Sequence, residues 1–184
     1  MAVDPIEGCA IALSIAAVWL TTARNPLCWP AGLASVLVYG WIFIGARLYS
    51  DALLQAIYAA LEIYGWWQWR RLPKDGPLPA VRAAHTAEIC LPLGLAVIGA
   101  VALGAAMARF TDAALPWLDA ALTALSLVAQ YWMARMIRAS WLMWIAVDVV
   151  YVGMYWSRDL APTAALYSGF IAMAVLGWRR WGRP

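Results

Sequence analysis

Seven apolar stretches of near-uniform length dominate this chain, at about 6–23, 27–46, 52–69, 89–108, 116–134, 139–157 and 160–178. A helix that crosses some 30 Å of hydrocarbon needs about 20 such residues. In hydrocarbon no water is present to pair with the backbone, so each segment must satisfy its own N–H and C=O groups. The pattern therefore predicts an all-α membrane protein with seven transmembrane helices. Segment five starts at Pro116 and Asp119, and its firmly apolar part begins at Ala120. Charged residues make up 12% of the chain, about half of what a soluble domain carries.

The connections are short and polar, as in Arg24-Asn25-Pro26 and Ser157-Arg158-Asp159. The exception is Arg70 to His85, which holds Pro73, Gly76, Pro77 and Pro79 and reads as a solvent-exposed linker. Asp4 and Glu7 stand where a cleavable leader would be basic, so the first apolar run is expected to stay in the mature protein. Cys9, Cys28 and Cys90 lie within apolar runs without CxxC spacing and read as small core hydrophobes. His85 has no second ligand near it in sequence. No metal site, cofactor motif, catalytic motif or nucleic-acid partner is expected.

Arginines and lysines set the orientation. Alternate sides hold Arg24, Arg70, Arg71, Lys74, Arg82, Arg135, Arg138, Arg179, Arg180 and Arg183 against Arg47, Arg109 and Arg158, ten to three. By the positive-inside rule the N-terminus is expected outside and the C-terminus in the cytoplasm.

Shifted by 112 residues, the chain matches itself without a gap over about 60 positions. Ala12-Leu13-Ser14 meets Ala124-Leu125-Ser126, Trp29 meets Trp141, Val38-Tyr39 meets Val150-Tyr151, and Leu48 meets Leu160. Gly65-Trp66 meets Gly177-Trp178, and Trp69 meets Trp181. Helices one to three thus read as repeating in five to seven. The intervening helix adds one crossing, so the copies run parallel in a 3+1+3 plan. The single domain divides into repeat one at about 6–71, a linker helix at about 87–108 and repeat two at about 116–183. Parallel repeats of this kind place a transport site near the bilayer midplane.

Two acids interrupt the apolar runs, Glu62 and Asp148. A charge at the centre of a membrane helix costs about 2.5–3.5 kcal/mol on insertion scales, which favours a functional role over a tie between helices. Neither belongs to the repeat, since Glu62 meets Ala174 and Asp148 meets Val36. At 100° per residue, Gln55, Tyr58, Glu62, Trp66 and Trp69 fall within about 40° of one line on the third helix. Trp141, Trp144, Asp148, Tyr151 and Tyr155 form a similar line on the sixth. Each line pairs an acid with rings, as a solvated cavity for a flat or cationic ligand would require. Gly65 makes a local helix distortion plausible. Gln130 either lines the same cavity or bridges helices.

The run Tyr64-Gly65-Trp66-Trp67-Gln68-Trp69-Arg70-Arg71 admits two readings, an interface belt or a stacking platform. At this point the chain resembles the PnuC family of bacterial vitamin transporters. The resemblance rests on Leu48-Tyr49-Ser50-Asp51 running into Ala52-Leu53-Leu54-Gln55, on Ile63-Tyr64-Gly65-Trp66-Trp67-Gln68-Trp69, and on Ser140-Trp141-Leu142-Met143-Trp144-Ile145 leading to Asp148-Val149. It implies the 3+1+3 plan, an architecture similar to the SWEET sugar transporters, and a homotrimer. It also implies facilitated diffusion of nicotinamide riboside, trapped in the cytoplasm by phosphorylation, with no cofactor. The substrate-binding role of the tryptophan motif passes by resemblance to Trp66, Trp67 and Trp69, and a polar contact to Gln55. With Glu62, Asp148, Trp144 and Tyr151 these form the expected binding set. Where some carriers of nicotinamide riboside have Asn, this chain has Glu62 and Asp148, which suit a cationic ring. Thiamine, also cationic, is the alternative cargo, and a proton-coupled carrier the alternative mechanism.

Overall fold

The computed structural model describes residues 5–47, 49–71, 81–111, 115–159 and 161–182, with backbone alone at 49 and 50. Asp4, Leu48, Pro73, Lys74, Gly76, Pro77, Pro79, Leu160 and Arg183, each used above, lie outside these residues. Among the described residues the chain forms α1 (Pro5–Thr22), α2 (Cys28–Gly45), α3 (Tyr49–Arg70), α4 (Thr86–Phe110), α5 (Pro116–Ala134), α6 (Ala139–Trp156) and α7 (Ala161–Trp181). Each covers one of the seven apolar stretches.

Five of the helices are long and apolar enough to cross a membrane; α3 and α5 fall short. The reason is local. Helix α3 carries Asp51, Gln55, Glu62 and Gln68, and α5 carries Asp119, Thr123, Ser126 and Gln130. These two helices pack against each other. Helix α5, the least apolar-looking at its start, buries Ala120, Leu122, Ala124, Ser126, Val128, Ala129, Trp132, Met133 and Ala134. Its low hydropathy reflects a position inside the protein rather than against lipid.

Six helices close a ring. Neighbours touch in the order α1, α2, α3, α5, α6, α7 and back to α1. Helix α4 stands outside and packs on α5. Its one buried residue is Gly104, which leaves room for the Trp117 ring of α5. Ile89, Leu91, Leu95, Val97, Ile98 and Val101 on α4 are exposed. The same outward turn of apolar surface corrects the reading of two cysteines. Cys28 is buried, but Cys9 and Cys90 are exposed on helix faces that need no core to be stable in lipid.

Tight turns join the ring helices. Arg24 and Met136 take left-handed backbone with φ of 54° and 56°, and Arg47 and Asp159 with 60° and 58°. Such a residue ends a helix by turning its N–H back to the last carbonyls, a place usually held by glycine. Both pairs are 112 residues apart. Ser14 and Ser126, also 112 apart, each donate to the carbonyl four residues earlier, of Ala10 and Leu122.

Gly65 does not distort α3, which runs unbroken from Tyr49 to Arg70. Instead the absent side chain admits the Trp29 ring of α2, which occupies the space a Cβ would fill. Gly177 of α7 admits the Trp141 ring of α6 in the same way. Both rings lie at the end of the bundle that bears most of the arginines. Cys28, Trp29, Trp69, Met133, Ala134, Met136, Trp141, Ala174 and Trp181 form one buried cluster there.

The chain entering α4 is tied to this same end. The Arg82 N–H donates to Met136 O at 3.1 Å, and the Arg138 N–H donates to Arg82 O at 3.2 Å. Glu88, in the first turn of α4, accepts both Arg82 Nη atoms at 2.5 and 2.6 Å, Arg135 Nη2 at 3.0 Å and the His85 N–H at 3.1 Å. One carboxylate thus joins α4, its leading segment and the α5–α6 turn. Glu88→Ala should lower stability by about 1–2 kcal/mol, the sum of a helix cap and a small charge network. A fall in Tm of the purified protein checks this; an unchanged Tm would mean water replaces the carboxylate at no cost.

Candidate functional site

The ring encloses a cavity of about 360 Å³. All six ring helices line it, while α4 contributes no residue. On α2 the lining residues run from Cys28 to Tyr39, a rise of about 16–17 Å at 1.5 Å per residue. The lining positions correspond across the 112-residue shift. Ser14 matches Ser126, Trp29 matches Trp141, Tyr39 matches Tyr151, and Gln55 matches Tyr167.

The acids break that correspondence. Glu62 faces the cavity where the matching residue is Ala174, and Asp148 where it is Val36. Glu62 is 9% exposed and Asp148 5%. The Glu62 carboxylate lies in the notch left by Gly32, whose counterpart is Trp144. Thus one half of the ring pairs a small residue with an acid, and the other half sets a large indole at the position matching that small residue. Gln130 Nε2 donates to Glu62 Oε1 at 3.0 Å, across the α3–α5 contact. Gln130 therefore does both things proposed for it, lining the cavity and bridging two helices. The Ser14 and Ser35 hydroxyls lie 2.7 Å apart, and with the Ser14 proton on Ala10 O, Ser35 donates to Ser14 Oγ.

Among the residues singled out from the sequence, the structure brings Gln55, Glu62, Trp144, Asp148 and Tyr151 together at the cavity, with Tyr58 and Trp141 from the same two helix lines. Tyr155 lies beyond it, against Tyr151 and Tyr167.

The three motif tryptophans of α3 are placed elsewhere. Trp66 and Trp67 are 36% and 48% exposed and do not line the cavity. The Arg70 guanidinium lies over the Trp66 ring at 5.3 Å, and that of Arg71 over Trp67 at 3.5 Å. Trp69 is 3% exposed and sits behind the cavity in the buried cluster. Helical rotation explains the split. Glu62, Gly65 and Trp69 are the buried positions, so the inner face is centred slightly to the Gly65 side of Glu62. Trp66, about 40° to the other side, falls at its edge, and Trp67 is turned about 100° further.

Other lining residues were missed from the sequence reading as site residues. Gly32 carries no chemistry of its own, and its role exists only because Glu62 packs on it. Ser35 and Tyr167 sit among apolar neighbours with no pattern to mark them, whereas Ser126 had its match with Ser14 in the repeat. Trp29 had one usable signal, its match with Trp141 in the repeat.

A family model described as nicotinamide mononucleotide transporter matches residues 4–183. The riboflavin/roseoflavin transporter RibM of Streptomyces davaonensis is 32% identical, over 86% of this chain and 75% of its own. The nicotinamide riboside transporter PnuC of Escherichia coli is 26% identical, over 82% of this chain and 73% of its own. A crystal structure of the vitamin B3 transporter PnuC superposes with a TM-score of 0.75 at 22% identity, covering 96% of this chain and 80% of that one. At that identity the likeness speaks for the fold alone.

Proposed function

The chain belongs to the PnuC family of membrane transporters, and from that premise we propose that its cargo is nicotinamide riboside, moved by facilitated diffusion and trapped by phosphorylation in the cytoplasm. The observation that carries this reading is the pair Glu62 and Asp148 in a cavity walled by Tyr58, Trp144 and Tyr151. Two carboxylates offset the charge of a cationic ring, and aromatic faces add about 0.5–2 kcal/mol by cation–π attraction. Gln55, Glu62, Trp144, Asp148 and Tyr151 are the proposed cargo contacts. Trp66 and Trp67 are proposed as the interface belt outside the cavity.

We also read the fold as 3+1+3 with parallel repeats at about 6–71 and 116–183, similar to the SWEET plan. The paired left-handed turns, the paired serine bonds and the matched cavity positions support this. The arginine-rich end is proposed as cytoplasmic, in a bacterial inner membrane. The homotrimer is proposed from the resemblance, with the exposed apolar side of α4 facing lipid or a neighbouring copy.

A second reading has a specific observation behind it. The relative at 32% identity is a riboflavin/roseoflavin transporter. Riboflavin is uncharged, so it gains no ion pairing from two acids, only hydrogen bonds from its hydroxyl and N–H groups. Calorimetric titration of the purified protein with nicotinamide riboside, thiamine and riboflavin separates the readings. Saturable binding of nicotinamide riboside, lost by at least about tenfold in Asp148→Asn, is the expected result, tenfold being 1.4 kcal/mol. Binding of riboflavin alone, unaffected by that substitution, would replace our reading with the second.

A further inference from the structure

Four buried tryptophans close the cavity at its arginine-rich end. Trp29 and Trp141 line the cavity. Behind them, Trp69 meets Trp29 edge-on at 5.2 Å with 84° between planes, and Trp181 meets Trp141 at 5.4 Å with 86°. Trp69 and Trp181 then touch each other at 6.2 Å. All four are 2–3% exposed. Yet Trp69 is one residue from the end of α3, and Trp181 ends α7. The closure is two indoles deep, and each half of the helix ring supplies one inner and one outer ring.

Hydrogen bonding divides the four. The outer pair is anchored across the two seams of the ring. Trp69 Nε1 donates to Ala134 O at the end of α5, and Trp181 Nε1 donates to Thr21 O near the end of α1, both at 3.2 Å. Arg180 Nη1 to Thr22 Oγ1, at 2.9 Å, reinforces the α1–α7 seam. The inner pair is different. The Nε1 atoms of Trp29 and Trp141 are buried with no hydrogen-bond partner among the protein's own atoms. Buried unpaired donors are rare because they lose their hydrogen bonds to water with no replacement. Two of them at corresponding positions in one plug call for a common cause.

We propose that the quartet is the gate at this end of the transport path, with the outer indoles as latches and the inner indoles as a built-in bias toward opening. Parting of the α3–α5 and α7–α1 seams breaks the two latching bonds. It also gives the two inner N–H groups access to water or to oxygen atoms of the cargo. The closed state is thereby held by one pair and strained by the other, which keeps the two states close in free energy. A gate that must open and close in each cycle requires that balance. The inference needs a transporter but not a particular cargo or orientation.

Cys28 offers a native reporter. It precedes Trp29, lines the cavity and is 3% exposed. In a Cys9→Ser, Cys90→Ser background, Cys28 is the single thiol of the chain. Its labelling rate by a membrane-impermeant maleimide is measured in vesicles of both orientations. Trp69→Phe with Trp181→Phe keeps an aromatic ring of smaller size at each place but removes the latches. Labelling from the arginine-rich end should rise about tenfold, as expected from two ordinary hydrogen bonds. Trp29→Phe with Trp141→Phe removes the unpaired donors, and labelling should fall, by about threefold or more. Opposite signs are the signature, since simple loosening of the core would raise labelling in both. Changes of the same sign, no change in either, or a rise from the opposite end would overturn the proposal. Should the outer double variant fail to fold, Trp69→Phe and Trp181→Phe singly carry the same expectation at smaller size.

Discussion

Gly32→Ala is expected to abolish tight cargo binding while leaving the helix ring assembled. A Cβ at this position would stand 2.6 Å from Glu62 Oε1 and 2.7 Å from Cδ and Oε2. Those distances are far inside contact, so the carboxylate must leave the notch. It sits at the end of a flexible side chain, so the backbone need not move and the fold survives. The displaced carboxylate loses the 3.0 Å bond from Gln130. Both partners are then left in an apolar wall, one of them acidic. Moving the carboxylate also removes its contact with the cargo, and one contact to a charged group is worth about 1.5–3 kcal/mol, roughly 10- to 150-fold in affinity. Titration calorimetry on the variant, with Tm as a control for folding, checks this. Wild-type affinity in Gly32→Ala would mean that Glu62 does not hold the cargo from its present position.

Gly65→Ala and Gly177→Ala should act on the fold itself. In each case the new methyl would overlap an indole ring, that of Trp29 or of Trp141. Unlike a carboxylate, an indole is rigid. Trp29 is held from its other side by Trp69, and Trp141 by Trp181, so neither ring has space to retreat. Overpacking a filled core costs about 1–3 kcal/mol, and a clash with a wedged ring belongs at the upper end. A marked fall in Tm is expected for both variants, of similar size. Gly94→Ala and Gly99→Ala make the control. Nothing lies within 4 Å of a Cβ at either place on α4, so these should be neutral or slightly stabilising through helix propensity. Equal Tm values for all four variants would refute the idea that the glycines of α3 and α7 exist to admit the rings.

Much of this was legible in the chain. Bilayer thickness sets the length of an apolar run, so the seven helices followed from counting residues. The cost of a buried acid marked Glu62 and Asp148, and helical periodicity put Gln55 and Tyr151 on the same lines. The 112-residue shift marked Trp29, Trp141, Trp69 and Trp181 as counterparts before any contact was known. All of these are properties of single helices or of the sequence compared with itself.

Other features depended on how the helices turn about their axes. Periodicity gave one line through Glu62, Trp66 and Trp69 with a width of about 40°. It could not say where along that width the inner face ends. The Trp29 ring in the Gly65 gap decides it, burying Trp69 and leaving Trp66 at the edge. Likewise Gly32 and Gln130 gain their roles only from Glu62, which reaches them from another helix. The sequence by itself determined where each helix runs, which residues carry charge into it and which positions correspond. Only the tertiary structure decided which corresponding positions meet. Side-chain chemistry and helix length are local, whereas the rotation of one helix against the next is set by the fit of a ring into the space left by a glycine.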